Sequence, residues 1–135
     1  MRWRVPVSGA LSALGVATFI APPLTLLNAR ALPATPVALL ALGNHLLVET
    51  TSPNELLLST TTSNSPVATL SLSTPHTELA VTGTSLWTGS PTSSTLTRVP
   101  WSARGFATPS TFSLTSAPSA LVGVSPSSLL VAESD

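Results

Sequence analysis

Short runs of Leu, Val, Ala and Thr recur along the chain after residue 36, at 37–42, 45–50, 55–60, 67–73, 77–82, 85–88, 95–99, 111–115, 120–124 and 128–133. Clusters of Gly, Pro, Asn and Ser divide them, among them Gly43-Asn44, Ser52-Pro53-Asn54, Ser63-Asn64-Ser65-Pro66 and Gly89-Ser90-Pro91. Runs of strand length with turn chemistry between them predict an all-β domain. Several runs alternate. In VATLSLS (67–73), Ala68, Leu70 and Leu72 share one side, with Val67, Thr69, Ser71 and Ser73 on the other, the pattern of a strand with one buried face. No segment after residue 36 carries a helical period.

The pattern ahead of residue 36 is different. Residues 5–29 contain no charge, follow Arg2 and Arg4, and are closed by Ala29-Arg30-Ala31. A basic lead, an apolar middle and small residues two apart describe an export signal. It predicts a hydrophobic signal helix centred on Leu11 to Ile20, broken by Pro22-Pro23, with cleavage after Ala31. The alternative is an uncleaved anchor, because a bilayer is crossed by about 20 apolar residues. The double proline disfavours an unbroken membrane helix. The expected organisation is therefore a signal peptide or signal anchor over 1–31 and a β-rich extracytoplasmic domain over 32–135. Contact with a membrane is expected only through residues 5–29, if they are retained.

A repeat runs through the β-rich part. LLALGNHLLVET (39–50) aligns with LAVTGTSLWTGS (79–90), and LVGVSPSSLLVAE (121–133) aligns with both after one extra turn residue. Leu46, Leu86 and Leu129 fall in register, at offsets of 40 and 43 residues. Each unit reads as a strand, a Gly- or Pro-bearing turn and a second strand, which is a hairpin. The second unit continues through SLWTGSPTSSTLTRV (85–99) to a further strand. Gly-x-x-Leu-Trp, a Gly-Ser-Pro turn and Thr-Leu-Thr-Arg-Val resemble one blade of a β-propeller of the NHL or quinoprotein-like kind. Such blades are four-stranded sheets recurring about every 40–45 residues. The resemblance covers residues 36–135 and implies incomplete propeller blades, because a closed propeller has about four blades or more and 32–135 has length for some two and a half. It leaves a truncated protein, an assembly of several chains, or a different β fold. A β-sandwich of about 100 residues is the alternative architecture.

Composition narrows the function. Lys, Gln, Tyr and Cys are absent, the only basic residues are Arg2, Arg4, Arg30, Arg98 and Arg104, and the formal net charge is zero. No basic patch is available to displace counterions from a phosphate backbone, so nucleic acid is not an expected partner. Without cysteine there is neither a disulfide framework nor thiolate chemistry. The Ser/Thr-rich chain invites a mucin-like reading, against which the recurring aliphatic clusters weigh.

Candidate chemistry is sparse. His76 and Glu78, and His45 and Glu49, are spaced to share strand faces, but a metal site requires three or four converging ligands. Neither a Gly-x-Ser-x-Gly elbow nor a Gly-rich phosphate loop occurs. The expectation is no cofactor, no metal and no catalytic residue. Trp87, in an apolar strand, is expected to pack between sheets. Trp101, in RVPWSARG (98–105) with Arg98 and Arg104 beside it, is the candidate binding surface, because aromatic and arginine side chains together form effective contact sites. The sequence thus describes a non-enzymatic extracytoplasmic binding or structural module whose partner is an unknown protein or carbohydrate. Its alternatives are a fragment of a larger secreted propeller enzyme and a membrane-tethered, hydroxyl-rich stalk.

Overall fold

The computed structural model describes residues 11–13, 17–19, 34–63 and 65–135. The chain divides into two compact units, Met1–Ala31 and Leu32–Asp135. In the first, strands β1 (Leu11–Ala13) and β2 (Ala17–Phe19) pair antiparallel, with Leu11 opposite Phe19. This strand pair occupies six residues of the Leu11 to Ile20 span for which the sequence predicts a signal helix; the rest of that span and the cleavage region lie outside the described residues. Among the described residues no helix is long and apolar enough to cross a membrane.

The second unit is built of antiparallel strands. A first sheet runs in chain order through β3 (Thr35–Leu42), β4 (His45–Thr51), β5 (Glu55–Thr60) and β6 (Ala68–Ser71). A second sheet begins the same way with β7 (Glu78–Thr82), β8 (Ser85–Gly89) and β9 (Thr95–Ser102). The far edge of β9 is shared by two short strands, β10 (Gly105–Phe106) against Ser102 and Trp101, and β11 (Ser110–Ser113) against residues 95–98. Pro100 falls in the gap between these two pairings, where its missing N–H interrupts no ladder on that edge. A separate hairpin of β12 (Pro118–Ser125) and β13 (Ser128–Glu133) follows. The sheets are open, and every predicted apolar run falls on one of these strands.

The repeated turns explain the repeated hairpins. Leu42 pairs with His45 and Thr82 with Ser85, leaving two-residue loops Gly43-Asn44 and Gly83-Thr84. Gly43 and Gly83 have φ of 59° and 54°, and glycine at the first loop position suits a turn whose twist matches the flanking strands.

Period-two alternation lets the second sheet serve two seams. Leu79, Val81, Leu86 and Val99 project from one face and pack with Leu40, Leu47, Leu56 and Leu58 of the first sheet. Ala80, Trp87 and Leu96 project from the other and pack with Leu121, Leu129 and Val131 of the hairpin. Each fully buried Leu contributes about 1.5–3 kcal/mol, and with no disulfide available these two seams carry the burden of cohesion. In VATLSLS the side holding Ala68, Leu70 and Leu72 faces the first seam, as the alternation requires. At Gly123 β12 comes so near to β7 that an added Cβ would lie 1.9 Å from the Val81 carbonyl oxygen.

Candidate functional site

Trp101 and Arg104 come together where β9 turns into β10. Both residues paired across that turn, Trp101 and Phe106, point toward the first seam. The turn residues Ala103 and Arg104 stand outside it, and the Arg104 N–H donates to Ser102 Oγ at 3.2 Å. Pro100, Trp101, Ser102, Arg104, Gly105 and Phe106 line an open hollow of about 300 Å3. Its aromatic wall is half-buried and its guanidinium is exposed at the rim. His45, from β4, meets the Trp101 ring edge-on at 5.9 Å. The indole N–H of Trp101 is buried without a hydrogen-bond partner, an arrangement that costs about 1–3 kcal/mol and is uncommon in folded chains.

Arg98, the third residue of the sequence-based surface, is placed elsewhere. Strand alternation puts it on the opposite face of β9 from Trp101, directly across from Trp87. Its guanidinium carbon stands 5.9 Å from the Trp87 ring centroid, and its Nε donates to Ser85 Oγ at 2.8 Å. Trp87 is thereby held from three sides. Its own Nε1 donates to Thr82 Oγ1 at 2.8 Å, and Phe112 tilts against it with centroids 5.7 Å apart. Cation over indole is worth about 0.5–1 kcal/mol at an exposed site. Arg98 therefore braces the second sheet, and the hollow has Trp101 and Arg104 alone of the three.

The acids and histidines do not converge. Among the described residues no group of three or more His, Asp or Glu side chains is placed to hold a metal ion. His76 precedes β7, is buried, and its Nδ1–H donates to the Thr74 carbonyl at 2.7 Å. Burial lowers its pKa, and that hydrogen bond offsets part of the shift. Glu49, which the sequence reading paired with His45 on one strand face, is a buried acid that reading did not foresee. It is 0% exposed within the first seam and accepts a hydrogen bond from Thr88 Oγ1 across the two sheets, while its Oε2 has no partner. Burial pushes its pKa up to about 7; the Thr88 bond pulls the other way and the charge of Glu78 adds to the rise. A signal existed, because Glu49 shares the core-facing register of Leu47. Its partner is 39 residues away and no local pattern names it.

A half-buried indole face beside an exposed guanidinium can stack on a planar or sugar ring while pairing with an acidic group. Among the described residues no group of three or more His, Asp or Glu side chains adjoins it. No family model, curated protein or solved structure matches the chain.

Proposed function

We propose that this chain is an exported, non-catalytic β module built from propeller-type blades, which binds an acidic carbohydrate or protein surface through the hollow at Trp101 and Arg104. The observation that carries the proposal is that hollow: it sets an aromatic wall and an exposed cation side by side at the surface, while Glu49, His76 and Arg98 serve structural bonds. The blade reading is supported by the serial face-to-face packing of three equivalent hairpins with their turns in register. Export is supported by the uncharged run over 5–29 and by the division of the chain between Ala31 and Leu32.

Indole N–H resonances of the exported protein, titrated with a uronic-acid oligomer and separately with an acidic peptide, test the binding claim. The Trp101 signal is expected to move with one of them. Arg104→Ala should weaken that response by at least about tenfold, since a charge-assisted hydrogen bond is worth about 1.5–3 kcal/mol, and Arg98→Ala should leave it in place. A Trp101 resonance indifferent to both probes removes the binding role. N-terminal sequencing tests export: a start at Leu32 supports cleavage, a retained Met1 in a membrane fraction indicates the anchor, and a cytosolic full-length chain overturns it.

A further inference from the structure

We propose that the exposed face of the β12–β13 hairpin receives the exposed β3 strip of a second copy of this chain, head to tail. The repeat gives the seam positions on the two strands of each hairpin an equivalent in the other units. Leu39, Leu79 and Leu121 correspond, as do Leu46, Leu86 and Leu129; call this the leading face. Leu40, Ala80 and Val122 correspond, as do Leu47, Trp87 and Leu130, on the trailing face. In the first seam, trailing residues Leu40 and Leu47 meet leading residues Leu79 and Leu86. In the second, trailing residues Ala80 and Trp87 meet leading residues Leu121 and Leu129. The chain thus uses one interface twice, in the same sense.

The trailing face of the β12–β13 hairpin is left over, and on the leading face of the first sheet the β3 strip stays exposed while Val48, Thr50, Leu57 and Ser59 are buried. Trailing residues Val122 and Leu130, with Val124 beside them, are 53%, 63% and 66% exposed, and leading residue Leu39 is 67% exposed. Val48 and Leu57 share the Leu39 side of the first sheet but are buried, so the free part of that face is the strip along β3 that holds Val37 and Leu39. Contiguous exposed aliphatic residues mark an interaction surface. Leu39 is the counterpart of Leu79, which meets the trailing face of the first sheet inside the chain, and no charged side chain interrupts either set. Because they are different surfaces, their union is heterologous, and such contacts close into a ring or continue as a filament. The inference uses the blade packing and not the ligand hollow, so loss of one leaves the other standing.

Sedimentation velocity of the full chain over a range of concentrations tests it, alone and with Leu39→Glu or Leu130→Glu. The native chain is expected to gain mass with concentration. Each variant should associate at least about a hundredfold more weakly, because a carboxylate would be buried in an apolar seam. Equimolar mixing should restore a dimer and nothing larger, since only the unmutated leading face of one and trailing face of the other remain. Val124→Glu provides a second trailing-face variant, and the substituted positions are exposed, so circular dichroism should keep the β spectrum. A native chain that stays monomeric, a variant that associates like the native chain, or a mixture that remains monomeric overturns the proposal. The second outcome would report a hairpin-to-hairpin contact or association through residues 5–29. An unaltered Trp101 response in the variants keeps this result separate from the binding test.

Discussion

Glu49 shows what a single residue does in this architecture. Its carboxyl lies within the first seam, bonded to Thr88 and raised to about 7, against 4.5 for the free group. An acid with a raised folded pKa binds its proton more tightly in the native state. The associated stability is fully present below about pH 4.5 and is lost as pH climbs through 7, to a total on the order of 3 kcal/mol. His76 acts in the reverse sense. Its lowered pKa favours the neutral ring, so its contribution is present above about 6.5 and lost as pH falls through its folded value. Urea denaturation from pH 4.5 to 8 should therefore show stability falling with pH in the native chain. In Glu49→Gln that fall should vanish and leave the opposite slope due to His76. Trp87→Phe isolates the indole bond: it strands the buried Thr82 hydroxyl and should cost about 1 kcal/mol in the same assay.

At the scale of the element, the turns and the close approach of backbones decide which hairpins form and where they seat. Gly83 has φ of 54°, and a Cβ there would lie 3.1 Å from the Pro126 carbonyl oxygen. Gly123 is tighter still, against Val81. Gly123→Ala should push β12 away from β7 and lower stability by about 1–3 kcal/mol, the usual range for overpacking, measurable as a reduced denaturation midpoint with the β spectrum retained. Strands of five to eight residues such as β4, β7 and β13 were legible because alternation and turn residues are local signals. The two-residue strand β10 was not, since Gly105-Phe106 has no periodicity to read. The division of β9's edge at Pro100 was equally invisible, being a matter of which later segment arrives to pair.

For the whole molecule, the repeat at Gly43 and Gly83 announced hairpins, and the hairpins proved to stack through alternate faces. What the sequence could not convey was the partition of side chains between seams. Arg98, three residues from Trp101, belongs by parity to the opposite face, so a cluster that looks continuous along the chain is split in space. Glu49 and Thr88 are united for the complementary reason, that two distant strands are laid face to face. The first seam is the main store of cohesion. Leu86→Ala, which empties a position with no exposure between the two sheets, should cost about 2–5 kcal/mol; calorimetry on the folded chain would register it as a lower melting temperature.

The serial stacking of the hairpins has a kinetic corollary. The second sheet is flanked on both faces, whereas the β12–β13 pair rests against a neighbour on one face and owns no third strand. In a quasi-linear array the outer member can peel off alone, while the middle one opens only when its companions have let go. Deuterium uptake should accordingly be graded, rapid at Leu130 and Ala132 and slowest at Leu86 and Val99, so that the molecule frays from its C-terminal end inward.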